Sequence, residues 1–201
     1  MRRVPLLALT MLLLSFSSGC ATSPASSFYT LNAIQLPEPS PAVVRPATPI
    51  MIAIGPVTVP ELVDRAQIVT RVDANRVSID EFARWADPLT SQIPRVLGAD
   101  LQQLIPGAIV WTYPQRVDDN AYRVSVDVQE FDASVQGSVM LAAIWTVLPP
   151  RRGQPVSGRS VAQEAVSGPG YDPLVKAYSR ALASVAGEIA VATRSAVPLT
   201  R

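Results

Sequence analysis

The chain of 201 residues contains no histidine and a single cysteine, Cys20. Without an imidazole it cannot form a Ser-His-Asp triad, a Cys-His pair or a histidine-containing zinc site. A lone cysteine also excludes a disulfide bond within the chain. Carboxylates, tyrosines, hydroxyl groups and one lysine, Lys176, remain for catalysis. The composition therefore argues against an enzyme, and we expect no metal and no cofactor.

Lysine is almost absent, and the arginines are scattered singly or in pairs. The chain has 17 Lys+Arg and 16 Asp+Glu, and removal of Arg2 and Arg3 would leave 15 against 16. A nucleic-acid-binding domain needs a clustered basic face, which this near-neutral sequence does not provide. We therefore expect no nucleic acid among its partners.

The N-terminus has the three-part layout of a secretory signal peptide. Two arginines precede an apolar run from Val4 to Leu14, and small residues follow. The run is too short to cross a bilayer as a helix, which takes ~20 residues. The segment around Cys20 resembles the bacterial lipobox, although Ser17 stands where leucine is usual. We predict a signal peptide over residues 1–19 and lipid attachment at Cys20.

Acylation of Cys20 would tie the mature chain to a membrane. Each buried methylene stabilises such an anchor by ~0.8 kcal/mol, so several acyl chains hold it stably. Ala21 occupies the position where aspartate would favour retention in the inner membrane of Gram-negative bacteria. We therefore expect a lipidated tether over residues 20–27 and an outer-membrane protein that faces the periplasm.

Residues 28–201 have the length of one domain. Residues 37–49 are proline-rich and are predicted to form a loop, because proline removes backbone donors. Apolar runs and alternating patterns predict the strands. These are Phe28–Leu31, Ile50–Ile54, Gln67–Val72, Arg76–Ile79, Ile109–Trp111, Tyr122–Gln129, Val135–Leu148 and Ser160–Val166.

Three finer expectations concern these strands. Gly55-Pro56 should end the second one, since both residues break regular pairing. Residues 73–75 supply the turn of a hairpin. The strand over residues 135–148 is apolar on both faces, so we expect much of it to be covered on both sides.

A first helix is predicted between Leu89 and Ile105, where apolar residues recur at steps of three and four. Pro106-Gly107 should end it. Pro94 would cost ~3 kcal/mol in a helix interior. We therefore predict a start near Ser91, which places Pro94 in the first turn.

A second helix is predicted after Asp172, taken as its N-cap because proline follows. Its apolar stripe is Leu174, Tyr178, Leu182, Val185 and Ile189. Small residues are expected on its outer face, either packing on a neighbour or simply favouring the helix. They are Ala181, Ala183, Ala186, Gly187 and Ala190. The order of elements predicts an α+β fold: a mixed, largely antiparallel sheet with two main helices on one face.

Acidic residues offer an alternative chemistry. Glu61 and Asp64 lie three apart, and a hydrolase would need two such carboxylates on either side of a scissile bond. Arg65 beside them favours ion pairing instead. Asp118-Asp119 and Asp127 could together bind a divalent cation, but a single acidic dipeptide lacks the alternating ligands of a calcium loop. A membrane-anchored envelope hydrolase stays an alternative, as does a structural lipoprotein that binds the cell wall.

Three segments are distinctive: Phe28-Tyr29-x-Leu31, residues 54–71 beginning Ile54-Gly55-Pro56-Val57, and Arg84-Trp85-Ala86-Asp87-Pro88-Leu89. Together they resemble the ABC-type transport auxiliary lipoproteins (the PqiC/YmbA-like lipoproteins). The resemblance covers most of the mature chain and is most specific from Ile54 to Leu89. The chain departs from the pattern at Ser17 and Pro94.

The resemblance implies an outer-membrane lipoprotein that serves a mammalian-cell-entry (MCE) transport system. Its partners would be a periplasmic MCE-domain protein, an inner-membrane permease and an ATPase. Such a system would move lipids or hydrophobic solutes across the periplasm. The auxiliary subunit would dock the MCE protein at the outer membrane without performing chemistry, with a homo-oligomeric ring as a further expectation.

The docking surface is expected within the matched segments. Arginine and tryptophan are enriched at interface hot spots, although Trp85 closing the core with Arg84 stacked on it is an equally good interpretation. The predicted docking residues are Pro60, Glu61, Asp64, Arg65, Arg84 and Trp85.

Overall fold

The computed structural model describes residues 24–35, 49–113, 119–134 and 137–197, apart from the side chain of Arg152. The signal peptide, Cys20 and residues 37–48 of the proline-rich loop lie outside the described residues. The elements are β1 (Ser27–Tyr29), β2 (Met51–Thr58), β3 (Gln67–Arg71), β4 (Val77–Trp85), α1 (Leu89–Leu104), β5 (Ile109–Thr112), β6 (Tyr122–Ala133), β7 (Ser138–Leu148), β8 (Val156–Ala165) and α2 (Tyr171–Ser195). A short 3-10 turn, Pro150–Arg152, precedes β8.

The larger sheet has five strands in the order β5-β2-β6-β7-β8. Strand β2 pairs in parallel with both β5 and β6, whereas β6, β7 and β8 form an antiparallel meander. Along β6 the buried and exposed residues alternate, as the sequence predicts for a half-buried strand. The sheet therefore has one face toward the core and one open face.

The smaller sheet has three strands in the order β1-β4-β3. Strands β3 and β4 form the predicted antiparallel hairpin, and β1 joins β4 in parallel. The α+β class is confirmed, with mixed pairing and two helices, and the strands are divided between two sheets.

The two helices lie side by side on the core face of the larger sheet. Helix α1 contacts β2 and β5, and α2 contacts β7 and β8. The approach is close at Gly98 of α1, where a Cβ atom would lie 3.5 Å from the side chains of Ile54 and Val110. These are ordinary van der Waals distances, so α1 lies directly against β2 and β5 at this point.

An aromatic cluster joins the smaller sheet to the rest of the core. The rings of Phe131 and Tyr178 are stacked with centroids 3.9 Å apart. Trp85 meets both rings edge-on, with centroid distances of 6.3 Å. Since these residues come from β6, α2 and β4, the cluster fixes the two sheets and α2 relative to one another.

Helix α1 begins earlier than predicted. Its first residue is Leu89, its N-cap is Pro88, and Pro94 lies in the second turn. The predicted start near Ser91 is therefore wrong. Leu89 and Ile93 are 1% and 0% exposed, so burial of the first turn offsets the backbone bond that Pro94 cannot donate to Thr90.

Helix α2 also differs at its start and in its faces. It begins at Tyr171 after Gly170, whose φ of 83° suits glycine, and Asp172 lies in the first turn rather than at the N-cap. The predicted apolar stripe is buried, which confirms it. Ala181, Ala186 and Ala190 are fully buried too. These small residues thus belong to the core and not to an outer face.

Three strand predictions need correction. Strand β2 continues through Gly55-Pro56 to Thr58, because a bulge between Ile54 and Val57 accommodates the proline. Strand β8 begins at Val156, not at Ser160. The second face of β7 is mostly open: of its residues only Ala142 is buried, and Ile144 is 43% exposed.

Candidate docking surface

The three distinctive sequence segments meet in the fold. In the register of β1 and β4, Phe28 lies opposite Arg84 and Tyr29 lies opposite Trp85. The Trp85 backbone N–H donates a 2.7 Å hydrogen bond to the Ala66 carbonyl oxygen. The Ala86 N–H donates a 2.9 Å bond to the Tyr29 carbonyl oxygen. Segments far apart in sequence therefore form one continuous piece of structure.

A tight turn follows Pro60. The carbonyl oxygen of Pro60 accepts hydrogen bonds from the backbone N–H groups of Val63 (3.0 Å) and Asp64 (3.2 Å). Val63 is buried and holds the turn against the core, while Glu61, Asp64 and Arg65 are exposed. The turn thus presents three adjacent charges on a fixed backbone.

The turn and the end of β4 enclose a small pocket of about 230 Å³. Asp64 and Arg65 line it on one side, and residues 85–88 line it on the other. The structure therefore brings Asp64 and Arg65 together with Trp85, as the docking prediction requires. We call the exposed parts of residues 60–66 and 84–88 the turn surface.

Trp85 does not belong to the exposed part. It is 4% exposed and packs on Phe131 and Tyr178. Its burial supports the interpretation of Trp85 as a core residue, and the docking role assigned to it stays a prediction. Arg84 and Pro60 are half-buried at the edge of the turn surface.

The charges of the turn surface are not neutralised within it. Among the described residues, no ion pair joins Arg65 to Glu61 or Asp64. Asp87 instead pairs with Arg95 of α1 at 3.0 Å. The expected ion pairing of Arg65 is thus wrong, and its guanidinium is available to a partner.

Three exposed apolar side chains in or beside the distinctive segments were not anticipated. Phe28 is 65% exposed, Phe82 45% and Leu62 38%. Each lies in or beside a distinctive segment, and apolar residues with arginine are typical of interfaces. The sequence signal that could have identified Phe28 and Leu62 was their place within the matched segments.

The position of Phe82 is fixed by Asp80. The Asp80 carboxylate accepts hydrogen bonds from the backbone N–H groups of Phe82 (2.8 Å) and Ala83 (3.1 Å). It also accepts one from the Tyr171 hydroxyl at 2.9 Å. The hydrogen bond from the Phe82 N–H makes the largest contribution to lowering the pKa of Asp80, and the bond from the Tyr171 hydroxyl lowers it further. Burial and the Asp80 carboxylate raise the pKa of Tyr171 to about 12.

The chain between β1 and the proline-rich loop lies across the two helices. We call residues 31–34 the strap. The Leu31 N–H donates a 2.7 Å hydrogen bond to Gln92 Oε1, and Gln92 Nε2 donates one of 2.7 Å to the Asp87 carbonyl oxygen. The Asn32 N–H donates to Ser179 Oγ at 3.2 Å. Gln92 is 0% exposed, so it links the strap directly to the turn surface.

The strap is also held by a buried acid. The Ile34 N–H donates a 3.1 Å hydrogen bond to Asp100 Oδ1. Asp100 is 3% exposed, and its Oδ2 has no hydrogen-bond partner among the described residues. Burial raises the pKa of Asp100 to about 6, and the bond from Ile34 offsets this in part. Sequence patterns did not identify Gln92 or Asp100, because both appear as polar interruptions of an apolar face.

Other acidic candidates have ordinary structural partners. Asp119 pairs with Arg123 at 3.0 Å, and Asp127 accepts hydrogen bonds from Thr58 and Gln129. Asp118 lies outside the described residues. Within the described ranges, no group of three or more acidic, cysteine or histidine residues is placed to hold a metal ion. No described helix is long and apolar enough to cross a membrane.

Comparison with known proteins identifies the class. The sequence profile of the ABC-type transport auxiliary lipoprotein component matches residues 29–190. This range includes both helices up to residue 190 and all of the turn surface. The chain belongs to this family of transport auxiliary lipoproteins.

Curated relatives agree with this assignment. The chain is 28% identical over 137 residues to the intermembrane transport lipoprotein PqiC of Escherichia coli, covering 66% of this chain and 71% of the relative. PqiC of Shigella flexneri matches with the same identity and coverage.

Solved structures share the fold. The crystal structure of an uncharacterised protein superposes with a TM-score of 0.70 and 21% identity, over 84% of this chain and 99% of the other. A Xanthomonas campestris protein superposes with a TM-score of 0.65 and 18% identity, over 85% and 96% of the two chains. At these identities the likeness concerns the fold alone.

Proposed function

We propose that this protein is a lipid-anchored auxiliary subunit of an MCE transport system, and that it docks the periplasmic MCE-domain protein at the outer membrane. The observation that carries the proposal is the family match over residues 29–190. The system would include an inner-membrane permease and an ATPase and would move lipids or hydrophobic solutes. The auxiliary subunit would supply a binding surface and no chemistry.

The turn surface is the part of the domain best suited to docking. It combines the exposed charges of Glu61, Asp64 and Arg65 with the exposed apolar side chain of Leu62. The exposed Phe28 lies beside it on β1, opposite Arg84. Its backbone is fixed by the Pro60 turn and by the Trp85–Ala66 hydrogen bond. A rigid surface loses little conformational entropy on binding, so its contacts add more fully to affinity.

Docking is tested by purifying the tagged full chain from its own membranes and measuring recovery of the MCE-domain protein. Reversal of three charges, with Glu61→Lys, Asp64→Lys and Arg65→Glu, should lower recovery about tenfold, because like charges that face each other across an interface are costly. The matched control reverses the exposed Asp73–Arg76 ion pair at the far turn of the β3–β4 hairpin. It should leave recovery unchanged.

The experiment distinguishes failure of the docking surface from failure of the transport role. Recovery of the partner by the triple variant at the level of the original protein would show that docking uses another surface. Absence of an MCE-domain protein from the original purification would overturn the transport role itself. Thermal melting should show that all variants are folded, since exposed substitutions change stability by about 0.5 kcal/mol or less.

The anchor is tested independently by Cys20→Ser. Loss of the acylated thiol should move the protein from the membrane fraction to the soluble periplasmic fraction. Ala21→Asp should keep it anchored but redirect it to the inner membrane. Retention of the Cys20→Ser protein in the outer membrane would contradict lipid anchoring at this residue. The ring of copies that the resemblance implies stays a prediction, which sedimentation of the anchored protein tests.

A further inference from the structure

A groove lies at the end of the larger sheet, away from the turn surface. Its walls come from residues 49–51 at the start of β2, from the start of β6, from the connection between β7 and β8, and from the two residues that follow α2. Its apolar lining includes Ile50, Met51, Tyr122, Val156, Ala196 and Val197. Its volume is about 640 Å³, within the ~300–1,000 Å³ range of small-molecule sites. We call it the end groove.

The end groove is open because its neighbouring connection cannot extend the sheet. Pro149 and Pro150 have no backbone N–H to donate, so β7 cannot continue past Leu148 in the ladder. The chain turns there, and Tyr122 holds the opposite wall through a 3.4 Å hydrogen bond from its hydroxyl to the Ala196 carbonyl oxygen. Half-buried apolar side chains at the starts of β2 and β8 and just after α2 are left facing a common space.

Arg151 stands at the rim of the end groove. Its φ of 56° is the single left-handed backbone conformation among the non-glycine residues of the described ranges. Such a conformation is strained for a residue with a side chain, and it is concentrated at binding and switch regions. Arg151 is exposed, and no described residue forms an ion pair or hydrogen bond with its side chain.

A second groove shares this rim. It has a volume of about 560 Å³ and is lined by Arg151, Arg123 and Asp119 together with Pro149 and Pro150. Arg123 pairs with Asp119, so the second groove retains the positive charge of Arg151. An apolar groove therefore adjoins a cationic one, with the same arginine on the boundary.

From this juxtaposition we infer that the domain itself binds one anionic phospholipid, with an acyl chain in the end groove and its phosphate at Arg151. An apolar chain joined to an anionic group is the ligand chemistry that matches both grooves. The inference rests on the proposed transport role and goes further. The subunit would hold a lipid at the outer membrane in addition to docking its partner.

The experiment uses the anchored full-length mature protein, purified in mild detergent and mixed with phosphatidylglycerol or phosphatidylcholine. Native mass spectrometry counts the non-covalent lipid on each protein. The anionic lipid should bind at least about fivefold more strongly than the zwitterionic one. Arg151→Gln should remove this preference, since one exposed ion pair accounts for a factor of about five. Arg159→Gln, which removes another exposed arginine on β8, is the control.

The end groove is tested by Val197→Asp, which places a carboxylate against the acyl chain. Binding of phosphatidylglycerol should fall about tenfold. The matched control is Val191→Asp on the solvent side of α2, where valine is 56% exposed. Both variants can be checked by melting temperature, and Arg151→Gln tests the site without touching a packed residue.

Equal binding of the two lipids, or unchanged binding in both Arg151→Gln and Val197→Asp, would overturn the inference. Because the measurement needs no partner protein, a negative result leaves the docking proposal intact. Conversely, the protein could bind lipid in this assay and recover no MCE-domain protein in the purification. That result would support the lipid site and overturn the docking proposal.

Discussion

The side chain of Gln92 joins two segments of backbone that are 56 residues apart: it accepts a hydrogen bond from the Leu31 N–H and donates one to the Asp87 carbonyl oxygen, both at 2.7 Å. Through this one buried amide, the strap is attached to the loop that carries the turn surface. Gln92 thus adds a second connection to the direct pairing of β1 with β4.

Gln92→Ala should destabilise the domain by about 2–4 kcal/mol, because it leaves a buried donor and a buried acceptor without partners. Urea denaturation followed by circular dichroism measures the change. Gln102→Ala is the matched control, since Gln102 lies exposed on the same helix and should change stability by less than about 0.5 kcal/mol. Equal effects of the two substitutions would refute the role assigned to Gln92.

Asp100 should give the domain a distinctive pH dependence. Its pKa in the folded protein, about 6, exceeds the ordinary value of 3.8. The folded state therefore binds this proton more tightly than the unfolded state. Linkage then requires that the free energy of unfolding decreases as the pH rises from about 4 to about 6, and the loss is complete above that range.

Asp100→Asn cannot titrate and should remove this decrease. The free energy of unfolding of both proteins is measured by urea denaturation at intervals from pH 4 to pH 7.5. The test is how the difference between the two values changes with pH. Asp80, whose pKa is lowered, is present in both proteins and cancels. A difference that does not change across this pH range would show that Asp100 is ionised throughout.

Trp85→Ala should destabilise the domain by about 3–5 kcal/mol, the cost of removing a buried aromatic residue. The loss follows from its contacts with Phe131 and Tyr178. Arg65→Ala, at an exposed position of the turn, should leave stability nearly unchanged. A thermal melt of each variant separates the structural residue from the surface one.

Two glycines should respond in opposite directions to alanine. At Gly158 a Cβ atom would lie 2.3 Å from Cζ2 of Trp145, so Gly158→Ala should cost about 1–3 kcal/mol through overpacking. At Gly187 in α2 a Cβ atom would meet nothing within 4 Å. Gly187→Ala should therefore stabilise the helix by about 0.5–1 kcal/mol. Calorimetric melting temperatures of the two variants provide the comparison.

Local patterns predicted much of this fold. The alternation along β6, the hairpin of β3 and β4 and the apolar stripe of α2 all appear as expected, because each depends on the period of a single element. The errors occurred where packing outweighed local preference. Burial of Leu89 and Ile93 extends α1 across Pro94, and sheet pairing carries β2 through Pro56.

For the candidate site, too, the sequence predicted some features and the packing decided others. The sequence identified the segments of the turn surface, since their residues resemble a family, but it could not separate Trp85 in the core from Arg65 at the surface. That separation depends on which face of β4 meets Phe131 and Tyr178. The roles of Gln92 and Asp100 were not visible in the sequence, because hydrogen-bond partners 61 and 66 residues away define them.

By itself the sequence determined the class of protein. The absence of histidine, the single cysteine and the matched segments are properties of residue identity, and no folding can alter them. The tertiary structure alone decided which residues share a surface: it joined the turn at Pro60 to the end of β4 and placed Arg151 between two grooves. Such proximity arises from strand register and helix packing, which depend on contacts across the whole core.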